Sequence, residues 1–324
     1  MRIKNLRFIL QGLATYLPVR IPFLPRHQVQ FVEDRVRVNT DYTALARACY
    51  TNWLRFLTAT KPALRLPIES VGEIGPGDCL GVGLAALLSG SKRYYPIDLF
   101  PRSRNCDNLL IFDELVRLFE NRTPIPDDRE FPKAIPKLTS YAFPNILTQE
   151  ILEKSLAKNR IDAIRGMIAA IHGGRATVQS DGLVISYPVG DQKPVVDFLI
   201  SIAVMEHIVD PDEAYTRDYA YLKKGGIYAH AIGLNAHGTA RQWNGHWTYS
   251  PLVWRLIRGR TRYLINRWPH SWHVKSLRVH GLHIVADDVY REKNTLVRKD
   301  LSILFVNIPE DDLTAHSVFI SGYK

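Results

Sequence analysis

The 324-residue sequence lacks any run of about 18 or more apolar residues, the length that a membrane-spanning helix needs. At the N-terminus, Gln11 and Thr15 interrupt the apolar residues, and no small-residue cleavage site follows them. We therefore predict an amphipathic helix there, rather than a signal peptide or a transmembrane segment. Arg2, Lys4 and Arg7 flank its apolar residues, so such a helix could make peripheral contact with a membrane surface.

Cysteine is scarce, because the chain has only Cys49, Cys79 and Cys106. Their odd number and wide spacing argue against a disulfide framework and against a Cys-x-x-Cys metal knuckle. The pattern indicates a reducing compartment, so we expect a cytoplasmic protein. Low-complexity tracts and internal repeats are also missing, and the composition, 46% hydrophobic and 23% charged, is that of a folded globular protein.

Acidic residues are missing from one long stretch, between Asp218 and Asp287. That stretch carries ten Lys and Arg residues, while the whole chain has a net charge of +10. The C-terminal third therefore predicts an anionic acceptor or partner, with a solvated basic face as the alternative. The stretch also holds seven of the eleven histidines, but it offers too few carboxylates for a metal site, so we expect no metal cofactor.

Short apolar segments with the character of strands alternate with helical patterns from residue 69 onward. This alternation predicts an α/β fold with a doubly wound, mostly parallel sheet of about seven strands. The candidate segments are 69–74, 93–97, 176–187, 195–201, 226–232, 282–286, 302–307 and 316–321.

The predicted sheet domain spans residues 67–324 and is preceded by a helical N-terminal cap, residues 1–66. A long insert after the second strand, residues 101–175, contains helical patterns and a proline-rich connector. Because it is too long for an ordinary crossover, we predict a lid or acceptor wall over the cofactor cleft, with a peripheral decoration as the alternative. The basic residues 236–286 are the predicted acceptor region.

A glycine-rich loop follows the first predicted strand, where residues 71–77 read Val-Gly-Glu-Ile-Gly-Pro-Gly. Gly75, Pro76 and Gly77 stand where the strand ends, so the backbone can turn tightly and approach a ligand closely. Asp98 ends the second predicted strand, where a carboxylate can accept hydrogen bonds from both hydroxyls of a ribose. These features predict a nucleoside-containing cofactor at the carboxyl ends of the strands.

Two cofactors suit such a loop, and a nicotinamide dinucleotide is the first. Its fingerprint requires a third glycine three residues after Gly77, where this sequence has Leu80. S-adenosyl-L-methionine is the second, and it carries an ammonium and a sulfonium in place of a pyrophosphate, which suits the acidic Glu73 beside the loop. The loop therefore favours the methyl donor.

The fourth predicted strand leads into a third set of candidate residues. Residues 197–207 read Asp-Phe-Leu-Ile-Ser-Ile-Ala-Val-Met-Glu-His, and a Lys-Lys-Gly-Gly turn at 223–226 precedes the next strand. Together with the glycine loop and Asp98, in this order, they make the sequence resemble the class I S-adenosylmethionine-dependent methyltransferases over roughly residues 69–235.

This resemblance implies a set of residues that bind the cofactor. They are Glu73, Gly75, Pro76 and Gly77 for the methionine and ribose part, Asp98 for the ribose hydroxyls, Asp181 for the adenine, and Ala203 with Val204 for the methionyl end.

Further segments look like a bacterial methyltransferase subgroup that is associated with the biosynthesis of cell-surface polysaccharide and similar products. They are 49–55 (Cys-Tyr-Thr-Asn-Trp-Leu-Arg), 75–90, 243–247 (Trp-Asn-Gly-His-Trp) and 263–267 (Tyr-Leu-Ile-Asn-Arg). The likeness implies a glycan, a glycan precursor or a related small metabolite as the acceptor.

Methyl transfer to a hydroxyl needs a base, and histidine suits this role near neutral pH. The candidate catalytic residues are His207, His237 and His246. His207 follows the fourth strand, His237 follows the fifth, and His246 lies between Trp243 and Trp247, a grouping that could hold a sugar ring. The alternatives are that His207 only shapes the cofactor pocket and that His246 belongs to an aromatic core.

The sequence thus favours an S-adenosylmethionine-dependent O-methyltransferase that acts on a glycan, its precursor or a related small metabolite. A nicotinamide-dependent oxidoreductase and a non-catalytic cofactor-binding scaffold are the alternatives. Nucleic acid is not the expected partner, because residues 201–204 read Ser-Ile-Ala-Val rather than the Asn/Asp-Pro-Pro-aromatic signature of enzymes that methylate base amines.

Overall fold

The structure is a computed structural model, and it describes residues 6–16, 41–60, 68–99, 103, 106–187, 193–261 and 263–324. Arg2 and Lys4 of the expected N-terminal helix lie outside these residues. The helices are α1 (Leu6–Leu13), α2 (Tyr42–Ala59), α3 (Gly81–Leu88), α4 (Asn108–Glu120), α5 (Gln149–Ser155), α6 (Lys158–His172), α7 (Pro211–Tyr221), α8 (Pro251–Arg258) and α9 (His270–Val279). The strands are β1 (Ser70–Ile74), β2 (Arg93–Ile97), β3 (Thr177–Ser180), β4 (Leu183–Ser186), β5 (Val196–Ile202), β6 (Leu222–Gly233), β7 (His283–Arg291) and β8 (Ala315–Tyr323).

All these strands join one sheet in the order β3-β4-β2-β1-β5-β6-β8-β7. Strands β4, β2, β1, β5 and β6 run parallel, β3 pairs with β4 antiparallel, and β8 is antiparallel to both β6 and β7. The prediction of a mostly parallel α/β sheet is confirmed, with eight described strands instead of about seven. The chain winds outward in both directions from β1 and β5, so the edge where these two strands end is the topological switch point at which α/β folds bind ligands.

Two of the predicted strand segments were wrong. The segment 176–187 is a hairpin, because β3 turns back into β4 at Asp181 and Gly182, which both have positive φ (48° and 76°). The segment 302–307 forms no strand and consists of turns. Its apolar residues do not alternate between two faces of a sheet, since Phe305 is buried beside Trp247 while Ile303 is 78% exposed.

Helices cover both faces of the sheet. On one face α2, α3, α4 and α6 pack into the largest hydrophobic cluster, and on the other face α7 and α9 pack into a second cluster. Strand β5 serves both clusters, because Phe198 and Ile200 point to the first and Leu199 to the second. The described helices of the insert therefore belong to the main core, and a lid role for the insert stays a prediction.

Arg55 of α2 holds the proline-rich connector of the insert. Its buried guanidinium donates hydrogen bonds to the carbonyl oxygens of Pro126, Ala134 and Pro136, and it forms an ion pair with Asp128 at 3.0 Å. A buried guanidinium must be satisfied in this way, because an unpaired buried donor is costly. The connector is thus anchored to the core by a residue that lies over 70 positions earlier in the chain.

Helix α1 packs on α8, whereas α2 packs on α3 and α4. The two described helices of the predicted N-terminal cap therefore support different parts of the fold. Among the described residues, no helix combines the length and the apolar character needed to cross a membrane.

Candidate functional site

The glycine loop is clamped between two neighbouring strand ends. The N–H of Gly75 donates to the carbonyl oxygen of Ile97, at the end of β2, over 2.8 Å. A Cβ added to Gly75 would lie 2.6 Å from Cγ2 of Val204, just beyond the end of β5, and the φ of Gly75 is +64°. Both the close approach and the left-handed backbone require glycine at this position.

The space in front of Gly77 is open. This residue also has a positive φ (+70°), but an added Cβ would meet no heavy atom within 4 Å. Half-buried Asp98 directly follows β2, and Ala203 directly follows β5. The loop, Asp98, Ala203 and Val204 therefore meet at the carboxyl edge of β1, β2 and β5, where the sequence predicted the cofactor, and Pro76 lies between the two glycines.

Glu73 supports the glycine loop from the interior of the protein. It is only 4% exposed, and its Oε2 accepts a hydrogen bond from the Tyr94 hydroxyl over 2.6 Å. The pKa of Glu73 is raised to about 7. Burial is the main cause and the nearby Asp98 adds to it, whereas the hydrogen bond from Tyr94 and the backbone of Gly83 lower it. The carboxyl group therefore ties β1 to β2 and α3, which makes Glu73 a positioning residue for the loop.

The N-terminus of α3 is already occupied by side chains of the protein. The N–H of Leu80 donates to Oδ1 of Asn108 over 2.8 Å. The backbone groups of Gly81 and Gly83 lower the pKa values of Cys79 and Glu73, so these two side chains also lie at the helix start. One N–H group that a bound pyrophosphate would use is thus committed to Asn108, and two side chains that are negative when ionised lie beside the others.

Two cysteines that are far apart in the sequence meet beside this loop. The Sγ atoms of Cys49 and Cys79 lie 3.6 Å apart. This contact, together with burial, raises the pKa of Cys49, and the same contact lowers the pKa of Cys79. Burial raises the pKa of Cys106 to about 11, with a contribution from Cys79. The spacing in sequence gave no sign of this proximity, since α2 brings Cys49 to the loop.

Asp181 does not lie at the carboxyl edge of the parallel strands, where the sequence predicted the cofactor, so the structure does not support its assignment to the adenine. It is exposed at the turn of the β3–β4 hairpin, which precedes β4. Because Ile185 pairs with Tyr94 in parallel register, the carboxyl end of β4 that faces the site is Ser186 and Tyr187. Asp181 lies at the opposite edge of the sheet.

Sequence reasoning missed a polar group at the correct end of β4. The hydroxyls of Tyr187 and Ser103 are 2.5 Å apart, and Nδ2 of Asn108 donates to the carbonyl oxygen of Ser103 over 2.7 Å. Asn108 also accepts a hydrogen bond from the N–H of Leu80. The group of Ser103, Asn108 and Tyr187 therefore connects the end of β4 to the start of α3. The signal in the sequence was the Asp-Gly pair at 181–182, which is typical of a hairpin turn and places the strand end later.

The segment after β5 is held in an unusual conformation. Ala203 has a positive φ of 54°, its N–H donates to the carbonyl oxygen of Ala231, and residues Met205–His207 form one 3-10 turn. Asn266 fixes this turn, because its side chain donates to the carbonyl oxygens of Met205 and Ile208 and its N–H donates to that of Glu206. The segment 263–267, noted from the sequence, therefore shapes the end of β5.

Two of the three candidate catalytic histidines come together. The rings of His207 and His237 pack edge to face with centroids 5.1 Å apart. Burial, with a smaller effect of His237, lowers the pKa of His207 to about 4. The pKa of His237 is also lowered, chiefly because neighbouring protein atoms displace part of the water around its ring. Both rings are therefore neutral near pH 7, the form in which an imidazole accepts a proton or binds a metal.

His246, the third candidate, lies in the interior. It is 1% exposed, its ring packs against Trp247 at 4.7 Å, and burial holds its pKa well below the usual range. Trp247 is fully buried and donates from Nε1 to the carbonyl oxygen of Arg267. This geometry supports the alternative of an aromatic core at His246, and Trp247 offers no face to a sugar.

Arg267 joins two segments of the predicted acceptor region. Its buried guanidinium donates to the carbonyl oxygens of His246 and Tyr249 and lies 4.7 Å from the ring centre of Trp254. Burial lowers its pKa to about 10. Segments 243–247 and 263–267 are therefore one packed unit that supports the turn after β5.

His230 of β6 faces the core. Its Nδ1 lies 2.8 Å from the hydroxyl of Ser201, and its Nε2 lies 3.4 Å from Oδ2 of Asp218. All three residues are at most 1% exposed. The arrangement is a buried polar network that no solvent or substrate reaches.

Comparison with known proteins gave neither a matching family model nor a matching curated protein. Among solved structures, an S-adenosylmethionine-dependent methyltransferase from Mesorhizobium loti is 10% identical, with a TM-score of 0.38, over 82% of this chain and 96% of that chain. Phosphoethanolamine N-methyltransferase 2 of Haemonchus contortus, in complex with S-adenosyl-L-methionine, is 14% identical, with a TM-score of 0.38, over 91% of this chain and 61% of that chain. Likeness at this level carries no argument about activity, which therefore rests on the geometry of the site.

Proposed function

We propose that the chain is an S-adenosyl-L-methionine-dependent methyltransferase that binds its donor at the carboxyl edge of β1, β2 and β5. When bound, this cofactor would supply an electrophilic methyl group. The proposal rests on Gly77, which leaves open space at the loop, on Asp98 beside it, and on Ala203 with Val204 at the end of β5. Class I methyltransferases, which the sequence resembles, use these positions.

The start of α3 favours S-adenosyl-L-methionine over a nicotinamide dinucleotide as the ligand. A dinucleotide places its pyrophosphate on free N–H groups of that helix. Here the N–H of Leu80 is bonded to Asn108, and Glu73, which lies beside the helix start, would repel a pyrophosphate whenever it is ionised. S-adenosyl-L-methionine has no phosphate, so this committed helix start is the observation that carries the choice.

Each donor-site residue has a definite task in this proposal. Asp98 would accept hydrogen bonds from the ribose hydroxyls, and the open backbone at Gly77 would admit the methionine and ribose part. Ala203 and Val204 would border the methionyl end, next to His207 and His237. Tyr187, at the end of β4, replaces Asp181 as the residue that we assign to the adenine side.

We propose an anionic hydroxyl-bearing acceptor, of the class of glycans, glycan precursors and related small metabolites. The acid-free stretch between Asp218 and Asp287 supplies the positive charge for such a molecule. Neutral His207 and His237 are the groups placed to accept its proton. A cytoplasmic location and peripheral contact with a membrane through α1 are further parts of the proposal.

The test compares Asp98→Ala with Asp181→Ala by calorimetric titration of S-adenosyl-L-methionine and its demethylated product. Two hydrogen bonds to a carboxylate contribute about 1.5 kcal/mol or more each, so Asp98→Ala should weaken binding at least about tenfold. Asp181→Ala should bind like the wild type, because Asp181 lies at the opposite edge. Unchanged affinity in Asp98→Ala would overturn the proposal.

Two further measurements address the alternatives. NAD and NADP should not raise the thermal midpoint, whereas the methyl donor should, since only a ligand of the native state stabilises it. Release of methyl from labelled donor in the presence of fractionated cell extract should give a labelled product. Donor binding without any transfer would favour the non-catalytic scaffold.

A further inference from the structure

Three potential metal ligands converge just beyond the donor site. One ligand atom from each of Glu206, His207 and His237 lies within 4.8 Å of the other two. Glu206 and His207 follow β5, and His237 follows the neighbouring strand β6. The carboxylate that the stretch between Asp218 and Asp287 lacks is therefore supplied by the turn after β5. This removes the reason for expecting no metal site.

The carboxyl group of Glu206 has one satisfied oxygen and one unsatisfied oxygen. Its Oε1 accepts a hydrogen bond from the N–H of Gly233 over 3.0 Å. Its Oε2 is buried and has no hydrogen-bond partner among the described residues, and Glu206 as a whole is only 3% exposed. An unpaired buried carboxyl oxygen is costly, and a bound cation would satisfy it.

Both histidines are oriented by their second ring nitrogen. Nδ1 of His207 lies 2.8 Å from the carbonyl oxygen of Tyr263, and Nδ1 of His237 lies 2.9 Å from that of Asn235. A carbonyl only accepts, so Nδ1 carries the hydrogen in each ring and the lone pair of the neutral ring is on Nε2. Histidine ligands of metals are held in this manner by a backbone carbonyl.

A glycine at the end of β6 makes room for the cluster. A Cβ added to Gly233 would lie 2.9 Å from Oε1 of Glu206 and 3.3 Å from Cε1 of His237. The φ of Gly233 is not in the left-handed region, so backbone strain does not demand glycine there. The close approach of the two ligand side chains is the local feature that excludes a larger residue.

We propose that Glu206, His207 and His237 bind one divalent transition-metal ion of the zinc class. Two imidazoles and one carboxylate are a ligand set of catalytic zinc sites, which keep a further coordination position open. Two nitrogen ligands disfavour magnesium and calcium, which prefer oxygen. The site accounts at once for the unsatisfied Oε2, the two oriented rings and the glycine at 233.

The position of the site gives the ion a task in the reaction. Glu206 lies only two residues after Val204, which we assign to the methionyl end of the donor. With the ion bound, His207 and His237 would act as ligands in place of proton acceptors. An acceptor hydroxyl bound at the open coordination position would be held near the methyl group and would lose its proton to solvent more readily. This task rests on the proposed function, whereas metal binding itself does not.

The test uses untagged full-length protein that has been stripped with a chelator and titrated with zinc chloride in a calorimeter. We expect one equivalent of zinc, confirmed by elemental analysis after dialysis. Glu206→Gln and His237→Ala should each weaken zinc binding at least tenfold, and Gly233→Ala should weaken it as well. His283→Ala, which removes an exposed histidine of β7, is the matched control and should bind zinc like the wild type.

His237 is exposed, so its replacement should leave the fold intact, and the thermal midpoint of each variant checks this. Absence of stoichiometric zinc binding in the wild type would overturn the proposal. Unchanged zinc affinity in both Glu206→Gln and His237→Ala would also overturn it. Donor binding is measured on the same samples, so that loss of the zinc site and failure of the methyltransferase proposal give different results.

Discussion

Gly75 and Gly77 share a left-handed backbone, but they need glycine for different reasons. At Gly75 an added methyl group would lie 2.6 Å from Val204, whereas at Gly77 it would enter open space. Alanine in the left-handed conformation costs about 1–2 kcal/mol, and overpacking adds about 1–3 kcal/mol. We expect Gly75→Ala to lower the free energy of unfolding by about 2–5 kcal/mol and Gly77→Ala by about 1–2 kcal/mol.

Gly77→Ala should weaken donor binding more than Gly75→Ala does, whereas Gly75→Ala should cause the larger loss of stability. Because the space at Gly77 is assigned to the donor, Gly77→Ala should reduce donor affinity about tenfold or more despite its smaller effect on folding. Urea unfolding and calorimetric donor titration of both variants measure the two effects. Wild-type donor affinity in Gly77→Ala would show that the ligand does not use this space.

Single residues could be predicted wherever a strand end fixed their place. Gly75, Gly77 and Asp98 follow β1 and β2, which were recognised from short apolar segments, and the structure brings them to one edge. Asp181 failed because an alternating pattern continues through a hairpin turn, so one segment was interpreted as one strand. Glu206 could not be linked to His237, since their proximity depends on the pairing of β5 with β6.

At the scale of elements, α1 is fixed to α8 by close backbone contacts at two glycines. A Cβ at Gly12 would lie 2.0 Å from the carbonyl oxygen of Leu256, and a Cβ at Gly259 would lie 2.1 Å from that of Gly12. The N–H of Arg260 also donates to the hydroxyl of Thr15 over 2.7 Å. An amphipathic helix was predicted here, but its partner about 245 residues later could not be, because backbone contact at a glycine leaves no periodic pattern.

The docked α1 helix leaves an apolar stripe exposed beside basic residues. Leu6, Leu10 and Leu13 are 39–44% exposed, and Tyr16 follows them at 47%. The exposed cations of this α1–α8 surface are Arg7, Arg255 and Arg260. Apolar side chains flanked by basic ones are typical of helices that lie in the interface of an anionic membrane.

We expect the protein to sediment with vesicles that contain phosphatidylglycerol and to bind vesicles of phosphatidylcholine alone more weakly. Leu10→Glu should reduce binding at least about fivefold, because withdrawal of a half-buried leucine from the interface costs about 1 kcal/mol. Leu110→Glu, at an exposed leucine of α4, is the control and should bind like the wild type. Equal binding of all three proteins would exclude α1 as the contact.

At the scale of the whole molecule, the core contains several ionisable groups that burial keeps neutral. His230 and His273 each have a pKa lowered to about 3 by burial, and burial raises the pKa of Asp218 to about 8. His273 is bonded to Tyr215 at 2.8 Å, and that ring also packs against His230. The composition shows how many histidines the chain has but not which of them are buried, because their burial follows from the packing of α7 and α9 on the sheet.

These groups make stability depend on pH in opposite directions. The histidines are neutral in the fold, so their contribution is complete above their unfolded pKa of about 6.5 and is lost as the pH falls from there toward 3. Asp218 is protonated in the fold, so its contribution is present below about pH 4 and is lost as the pH rises toward 8. Each group changes the free energy of unfolding by about 1.4 kcal/mol per pH unit within its range.

Among these three groups, the two histidines outweigh the aspartate between about pH 4.5 and 6, so together they should make stability fall on acidification. His273→Gln keeps a polar partner for the Tyr215 hydroxyl but does not titrate, so it should lower the slope of the free energy of unfolding against pH by about 1.4 kcal/mol per pH unit. His283→Gln, at an exposed position, should keep the wild-type slope. Urea unfolding at half-unit steps of pH measures all three slopes, and an unchanged slope in His273→Gln would mean that His273 is not held neutral by its burial.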